Sequence, residues 1–236
     1  MSGHSKWKQI KNKKGVADAK KGAIFTRLSK IITLAAREGG DPNMNFKLAT
    51  AIDQARSMNM PKDNIERAIK RGTGEEASAQ LHEVLYEGYG PEGVALIIIG
   101  VTDNVNRTVS DVRTTLTKHG GSMATAGAVR WNFEQKGVIR LENVGNRDEL
   151  ELMAIDAGAD DIREEEDGLL IATDPKNLQS LKQALEKQGI KSEYAAIEFL
   201  PKSTVALSES GQIKLEKLTN ALDDLEDVQD YYTNAV

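Results

Sequence analysis

Apolar residues recur at steps of three and four between residues 18 and 38, the spacing that places side chains along one face of a helix. The positions that share this face are Ile24, Phe25, Leu28, Ile31, Ile32 and Ala35. Gly39 and Gly40 follow directly and are typical of a helix end. The pattern therefore predicts a long amphipathic helix early in the chain.

Two further helices are predicted by the same periodicity, over residues 45–58 and 61–72. Pro61 suits the first turn of the second of these helices, and Asp63 with Glu66 has the spacing of a capping box. A polar, glycine-containing linker follows at once. The three helices are predicted to form a small domain with a basic exterior.

The hydrophobic period changes after the linker. Residues 84–91 lead through a Gly-Pro-Glu-Gly turn into residues 94–101, a nearly continuous apolar run that is typical of a buried strand. A helix is predicted over residues 106–118. Alternating polarity over residues 128–133 predicts another strand.

Residues 137–200 contain strand, helix and turn signals in the order βαββαβ, which is the ferredoxin-like unit. The unit that begins near residue 84 lacks the helix and strand needed to complete the same pattern, and the C-terminal segment supplies both. We therefore predict an α+β protein with a basic helical domain (1–79) and two ferredoxin-like α/β domains. The middle domain comprises residues 80–136 plus 201–236, and the domain of residues 137–200 is inserted into it.

The composition is that of a globular chain without membrane or disulfide features. The 236 residues are 39% hydrophobic, contain no cysteine and have no apolar run near the ~20 residues needed to span a bilayer. The N-terminus is basic, but no apolar segment follows it as in a secretory signal. These features predict a cytoplasmic protein without a membrane partner.

A net charge of −5 conceals a strong polarity along the chain. Residues 1–72 carry 16 Lys and Arg against 6 Asp and Glu, a net charge of +10. Residues 73–236 carry 15 against 30, a net charge of −15. Such asymmetry indicates that the first segment contacts a polyanion and the remainder does not.

The N-terminal tract concentrates this positive charge, with five lysines between Lys6 and Lys14 and a tryptophan, Trp7, among them. Lysines that contact phosphates release counterions, which is the main source of sequence-independent affinity for nucleic acid. An exposed indole adds a face on which a base can stack. A solubilising tail, with Trp7 packed on its own protein, remains the alternative.

The sequence contains little that would indicate a catalytic function. The three histidines, His4, His82 and His119, are scattered without a partner at triad or metal-ligand spacing. No phosphate-binding GxxxxGK[ST] loop is present, and residues 88–93 are interpreted as a tight turn. The sequence therefore predicts a protein that is not an enzyme, with no metal, no cofactor and no small-molecule substrate.

Two acidic clusters, residues 164–167 and 223–227, would repel phosphate and are expected to be solvated faces. A less favoured interpretation has them dock against the basic domain and restrain it until nucleic acid competes. Asp103 and Asn104 are expected to cap a helix. Arg107 is a candidate for an RNA contact or a domain interface.

The chain resembles the YebC/PmpR family, which includes the mitochondrial translational activators of cytochrome oxidase. The segments that carry this resemblance are Ser2-Gly-His-Ser-Lys-Trp7, Lys11–Lys14, Phe25-Thr-Arg-Leu28, Tyr86-Glu-Gly-Tyr-Gly-Pro91 with Gly93, Asp103-Asn-Val-Asn-Arg-Thr108, and Gly120-Gly121. The resemblance implies a helical domain followed by two α/β domains in a cytoplasmic, nucleic-acid-associated regulator. Many members are described as probable DNA-binding transcriptional regulators, and others resemble translation factors that act on ribosomes.

Three functions therefore stay open: a DNA-binding regulator of transcription, a ribosome-associated factor that binds ribosomal RNA and relieves stalls, and a protein-interaction module without nucleic acid. The candidate nucleic-acid-binding residues are His4, Ser5, Lys6, Trp7, Lys8, Lys11, Lys13, Lys14, Lys20, Lys21, Arg27, Lys30 and Arg107.

Overall fold

The computed structural model describes residues 18–77, 80–142, 147–165, 168–192 and 194–236, with side chains from residue 21 onward. Three helices form the N-terminal domain: α1 (Asp18–Ala36), α2 (Phe46–Ser57) and α3 (Lys62–Thr73). Their buried apolar side chains meet in one core, which includes Leu28, Ile32, Leu48, Ile52, Ile65 and Ala68. The helical domain predicted from the apolar spacing is confirmed.

α1 and α3 approach each other closely because Gly72 lies at their contact. A Cβ atom on Gly72 would stand 2.4 Å from the carbonyl oxygen of Thr33 and 2.5 Å from the Cβ of Ala36. The hydroxyl of Thr33 also donates to the carbonyl of Ala68 at 3.1 Å. Gly72 is therefore a packing residue, and α3 runs on to Thr73 instead of stopping at Gly72 as expected.

The start of α3 also differs from the prediction. Pro61 occupies the capping position and no side chain accepts a hydrogen bond from the first turn, so the expected capping box of Asp63 and Glu66 does not form. The end of the helix is capped by Gly74, whose φ of 84° lies in the left-handed region that favours glycine.

The middle domain is a four-stranded antiparallel sheet with strand order β3-β1-β2-β8. Its strands are β1 (His82–Tyr89), β2 (Ala95–Thr102), β3 (Ser122–Met123) and β8 (Val228–Thr233). Two helices, α4 (Val105–Lys118) and α7 (Glu209–Asp223), pack on one face of this sheet. Because β8 is the last strand of the chain and pairs with β2, the C-terminal segment completes this domain, as predicted.

The inserted domain has the predicted βαββαβ order and strand order β5-β6-β4-β7, which is ferredoxin-like. Its elements are β4 (Phe133–Leu141), α5 (Arg147–Asp156), β5 (Asp161–Glu165), β6 (Gly168–Thr173), α6 (Leu178–Lys187) and β7 (Tyr194–Pro201). The α+β class, with one α/β domain inserted into another, is therefore confirmed.

The chain enters and leaves the inserted domain at one point. Asn132 accepts hydrogen bonds from the backbone N–H groups of Lys202, at 2.7 Å, and Ser203, at 3.0 Å. Beside this junction, Phe133, Phe199 and residues of the opposite face of the middle sheet share an apolar cluster. The two α/β domains are thus joined by hydrogen bonds and by buried apolar surface.

The strand predicted over residues 128–133 is wrong except at its last residue. Residues 130–132 form a short 3₁₀ turn, and β4 begins at Phe133. The buried carboxylate of Glu87 explains this, because it accepts hydrogen bonds from the backbone N–H groups of Gly127, Val129 and Arg130 at 2.6–2.9 Å. Burial alone would raise the pKa of Glu87, but these three donors hold that pKa below its ordinary value.

Residues 204–207 of the described structure form no strand. A single parallel bridge joins Val205 to Ala235 instead.

Candidate nucleic-acid interface

The N-terminal tract that carries most of the predicted binding residues lies outside the described residues. This applies to His4, Ser5, Lys6, Trp7, Lys8, Lys11, Lys13 and Lys14, and to the side chain of Lys20. Lys21 is the first candidate with a described side chain, and it is exposed on α1. The binding role of all these residues stays a prediction.

Arg27 and Lys30 lie on the face of α1 that contacts the middle domain. The Arg27 guanidinium donates to the backbone carbonyl of Asp223, and its Nη1 lies 3.9 Å from that residue's carboxylate. The Lys30 Nζ lies 2.7 Å from Oδ1 of Asp227. Both predicted binding residues are therefore engaged by acidic residues at the end of α7 and just after it.

Asp227 is the centre of a hydrogen-bonded cluster. Its second oxygen, Oδ2, accepts from Arg107 at 2.7 Å, from the Thr108 hydroxyl at 2.8 Å and from the Thr102 hydroxyl at 3.1 Å. With Lys30 on Oδ1, this carboxylate has four donors from α1, β2 and α4. Arg107 also pairs with Asp103 at 2.9 Å, within its own domain. It lies beside the contact with the helical domain because it shares the Asp227 carboxylate with Lys30.

The electrostatics of Asp227 follow from these contacts. The residue is only 6% exposed, and burial by itself would raise its pKa. Hydrogen bonds from Lys30, Arg107 and Thr108 overcome that effect and lower the pKa to about 2. Residues 223–227 were expected to be a solvated face. This expectation is wrong for Asp227, because its carboxylate is buried and contacts Lys30 of the basic helical domain.

Of the two residues expected to cap a helix, Asn104 does so, whereas Asp103 pairs with Arg107 instead. The Asn104 side chain accepts from the backbone N–H of Arg107 at 3.0 Å and starts α4. In the turn of residues 88–93, the Glu92 carboxylate accepts from the backbone N–H of Ser208, at 3.1 Å, and from its hydroxyl. Glu92 thereby supports the start of α7.

A cleft opens where α1, α3 and the β2–α4 loop meet, and we refer to it as the α1–α3 cleft. Its volume is about 470 Å³. Its walls combine cationic, hydroxyl, amide and apolar side chains, namely Phe25, Thr26, Ser29, Lys30, Thr33, Met60, Asn64, Arg67, Arg71, Ala77, Leu81 and Asp103.

Arg67 and Arg71 are the residues of this cleft that sequence reasoning left out. Both occupy the outward face of α3, four residues apart, so their side chains project from the same side of the helix. Their spacing was the only feature of the sequence that could have indicated a shared binding role. A charged outward face of a helix, however, is usually just exposed to solvent. What distinguishes these two positions is the cleft beside them, which no local pattern in α3 reveals.

A second cleft, of about 670 Å³, lies between the helical domain and the inserted domain. Apolar side chains from α1 and β7 line much of it, among them Ile31, Leu34 and Ile197. It offers a phosphate fewer cationic groups in proportion to its size than the α1–α3 cleft does.

The described residues give no indication of a metal site or of a membrane-spanning helix. No group of three or more His, Asp or Glu side chains there is placed to hold a metal ion. The helices of the same residues include none long and apolar enough to cross a membrane.

These observations define a three-domain α+β protein with a basic helical domain set against the end of an α/β domain. The crystal structure of a conserved hypothetical protein from Aquifex aeolicus has this fold, with a TM-score of 0.84 and 44% sequence identity over 93% of this chain and 91% of that one. Residues 5–75 match the model of the TACO1/YebC protein N-terminal domain, and residues 81–235 match that of the TACO1/YebC second and third domain. The chain belongs to the TACO1/YebC family.

Full-length relatives agree with this assignment. A protein of Pseudothermotoga lettingae is 52% identical over 99% of this chain and 93% of its own length. One of Dehalococcoides mccartyi is 51% identical over 100% of this chain and 94% of its own. Both carry the name "probable transcriptional regulatory protein". The family resemblance predicted from the sequence motifs is confirmed.

Proposed function

We propose that this protein is a cytoplasmic, nucleic-acid-binding regulator of gene expression, and that it acts by binding and not by catalysis. The N-terminal tract and the helical domain form the binding surface, and the phosphate backbone is the main contact. The relatives named as probable transcriptional regulatory proteins support a regulatory role.

One observation carries the proposal: two acidic side chains that face α1, those of Asp223 and Asp227, are paired with cations. Asp227 is paired with Lys30 and Arg107, and the Asp223 carboxylate lies beside Arg27. A polyanion that approaches α1 therefore meets paired carboxylates there instead of bare ones. Since α1 follows a segment with five lysines between residues 6 and 14, the positive potential of that segment is preserved.

The shape of the helical domain favours recognition of the backbone over recognition of base sequence. α3 has only 12 residues, and its exposed face is mostly charged, with Asn64 as its single side-chain amide. A helix that reads bases in a major groove is typically richer in Asn and Gln. Structured RNA, read by shape and phosphate, fits this surface. A ribosome-associated translation factor is therefore the second candidate, beside a regulator that binds promoter DNA.

Crosslinking in growing cells, followed by sequencing of the recovered nucleic acid, tests the proposal and separates its two forms. Ribosomal RNA from one ribosomal site would identify a translation factor, and discrete promoter DNA would identify a transcriptional regulator. Recovery of proteins alone would overturn the proposal and leave a protein-interaction module.

A charge-reversal variant tests the tract itself. Lys13→Glu with Lys14→Glu is expected to abolish binding to nucleic acid without unfolding the protein, because two phosphate contacts become repulsions. The matched control is Lys214→Glu with Lys217→Glu, the same charge change on exposed positions of α7. Equal binding by both variants and the unaltered protein would contradict the role of the tract.

A further inference from the structure

The α1–α3 cleft combines two kinds of wall. Arg67, Arg71 and Asn64 of α3 provide guanidinium and amide groups on one side. Phe25 and Met60 provide apolar surface within the same cleft. A volume of about 470 Å³ lies within the range of about 300–1,000 Å³ typical of small-ligand sites. Cationic forks beside apolar surface suit a ligand that is anionic at one end and flat and apolar at the other.

Arg67 is oriented by its own helix. Its Nη2 donates to the Asn64 side chain at 2.6 Å and its Nε to the backbone carbonyl of Asp63 at 3.3 Å. A guanidinium has five N–H groups, so these two bonds fix the fork and leave donors for a ligand. An arginine fixed in this way loses less side-chain entropy when it binds a phosphate.

Arg71 has a partner that a phosphate can replace. Its Nε lies 4.0 Å from Oε2 of Glu76, and both side chains are at least 40% exposed. Exposed ion pairs of this kind contribute little to stability. Exchange of Glu76 for a phosphate would therefore replace a weak ion pair by a charge-assisted hydrogen bond.

The carboxylates at the base of the cleft do not oppose an anion strongly. Asp103, which lines the cleft, is paired with Arg107 at 2.9 Å. Asp227, beyond the lining residue Lys30, accepts from both Lys30 and Arg107. The arginines of α3 therefore set the local potential.

The cleft is also continuous with the start of α1. Lys21, Phe25 and Ser29 follow at four-residue steps, so they lie along one side of the helix, about 6 Å apart per step. Phe25 and Ser29 line the cleft, and Lys21 lies one turn nearer the basic tract. A strand bound at Lys21 could thus continue along α1 into the cleft.

We infer that the α1–α3 cleft binds one nucleotide of a single-stranded segment, with its phosphate on Arg67 and Arg71 and its base against Phe25 and Met60. This inference rests on the proposed function and adds a defined subsite to it. Free nucleotides share this chemistry, and the inference assigns the site to a strand because α1, which lines the cleft, follows the lysine-rich tract in the sequence.

The test compares two variants of α3 with the same change in charge. Arg67→Glu with Arg71→Glu alters the cleft, whereas Lys62→Glu with Lys70→Glu alters exposed positions of α3 that do not line it. The probe is a fluorescein-labelled 20-nucleotide oligouridylate RNA, measured by fluorescence anisotropy with the full chain. Circular dichroism establishes that both variants are folded.

The arginine variant is expected to lose at least about tenfold in affinity for the RNA, because charge-assisted hydrogen bonds to the phosphate are replaced by repulsion from two carboxylates. The lysine control is expected to lose less than about threefold, as a general effect of charge. Equal losses in the two variants would overturn the inference. Arg67→Lys with Arg71→Lys should recover only part of the affinity, since lysine cannot form the bidentate contact.

Two further outcomes separate this inference from the proposed function. If Lys13→Glu with Lys14→Glu abolishes binding while the arginine variant binds as the lysine control does, the cleft is excluded and the proposed function remains. If the unaltered protein binds neither RNA nor DNA, both fail. Uridine monophosphate that binds as tightly as the 20-mer would assign the cleft to a free nucleotide and overturn the assignment to a strand.

Discussion

The helical domain has two sets of cationic side chains that look alike in the sequence but have different surroundings in the structure. Lys30 on α1 faces the buried carboxylate of Asp227, and its side chain is 15% exposed. Arg71 on α3 lines a cleft, its side chain is 44% exposed, and its Nε lies 4.0 Å from the Glu76 carboxylate. What lies opposite a cation therefore decides whether it is buried between domains or exposed at a cleft.

The difference between the two sets is physical, and it can be measured. Removing the donors of a buried carboxylate costs much free energy of folding, because neither the carboxylate nor its cationic partners regain full hydration in the buried site. A cation in an exposed ion pair can exchange its carboxylate partner for water or phosphate with little change in free energy. We therefore expect the first set to govern stability and the second to govern affinity.

The largest expected effect is that of Asp227→Asn. The amide keeps the shape of the side chain but removes the charge that compensates Lys30 and Arg107, which should cost about 3 kcal/mol of stability. For a chain of this size, that corresponds to a fall in Tm of roughly 6–12 °C in a thermal unfolding experiment. A fall below about 2 °C would show that this cluster does not hold the domains together.

Acid should weaken the same contact. The pKa of Asp227 is about 2 in the folded protein and near 3.8 when unfolded, so its stabilisation is complete above pH 4 and is lost as the pH falls through 2. The loss amounts to about 2 kcal/mol. In urea unfolding, the gap in stability between the unaltered protein and Asp227→Asn should therefore narrow between pH 4.5 and pH 2. A constant gap would show that the pKa of Asp227 is not lowered.

The smallest effect is expected at a pair that looks strong by distance alone. Lys47 Nζ and Glu38 Oε1 are 2.6 Å apart, but both side chains are about 60% exposed. Lys47→Met should change stability by no more than about 0.5 kcal/mol, and Tm by less than about 2 °C. A change as large as that of Asp227→Asn would mean that burial is not what separates the two sets.

Much of the fold could be predicted because its signals are local. The apolar spacing of α1 and the βαββαβ order of the inserted domain depend on neighbouring residues. The 3₁₀ turn at residues 130–132 could not be predicted in this way. The backbone N–H groups that donate to Glu87 lie 40 residues or more after Glu87 in the chain. An acidic residue within an apolar strand was the only trace of that contact.

The candidate site was less predictable for the same reason. Arg27 and Lys30 were chosen for their charge, but their partners lie at Asp223 and Asp227, nearly 200 residues away. Arg67 and Arg71 were left out because a basic outward face has no local feature that distinguishes a cleft from a solvated surface. Charge can be counted from a sequence, whereas its neutralisation depends on the tertiary contacts.

The central claim is that phosphate contacts by the basic segment drive binding to nucleic acid, and salt dependence tests it most directly. Affinity for a labelled single-stranded RNA should fall linearly in a plot of log K against log salt concentration, since each neutralised phosphate contributes about 0.7 to the slope. Lys13→Glu with Lys14→Glu, which replaces two phosphate contacts by repulsions, should abolish that binding. A slope near zero for the unaltered protein would contradict the account.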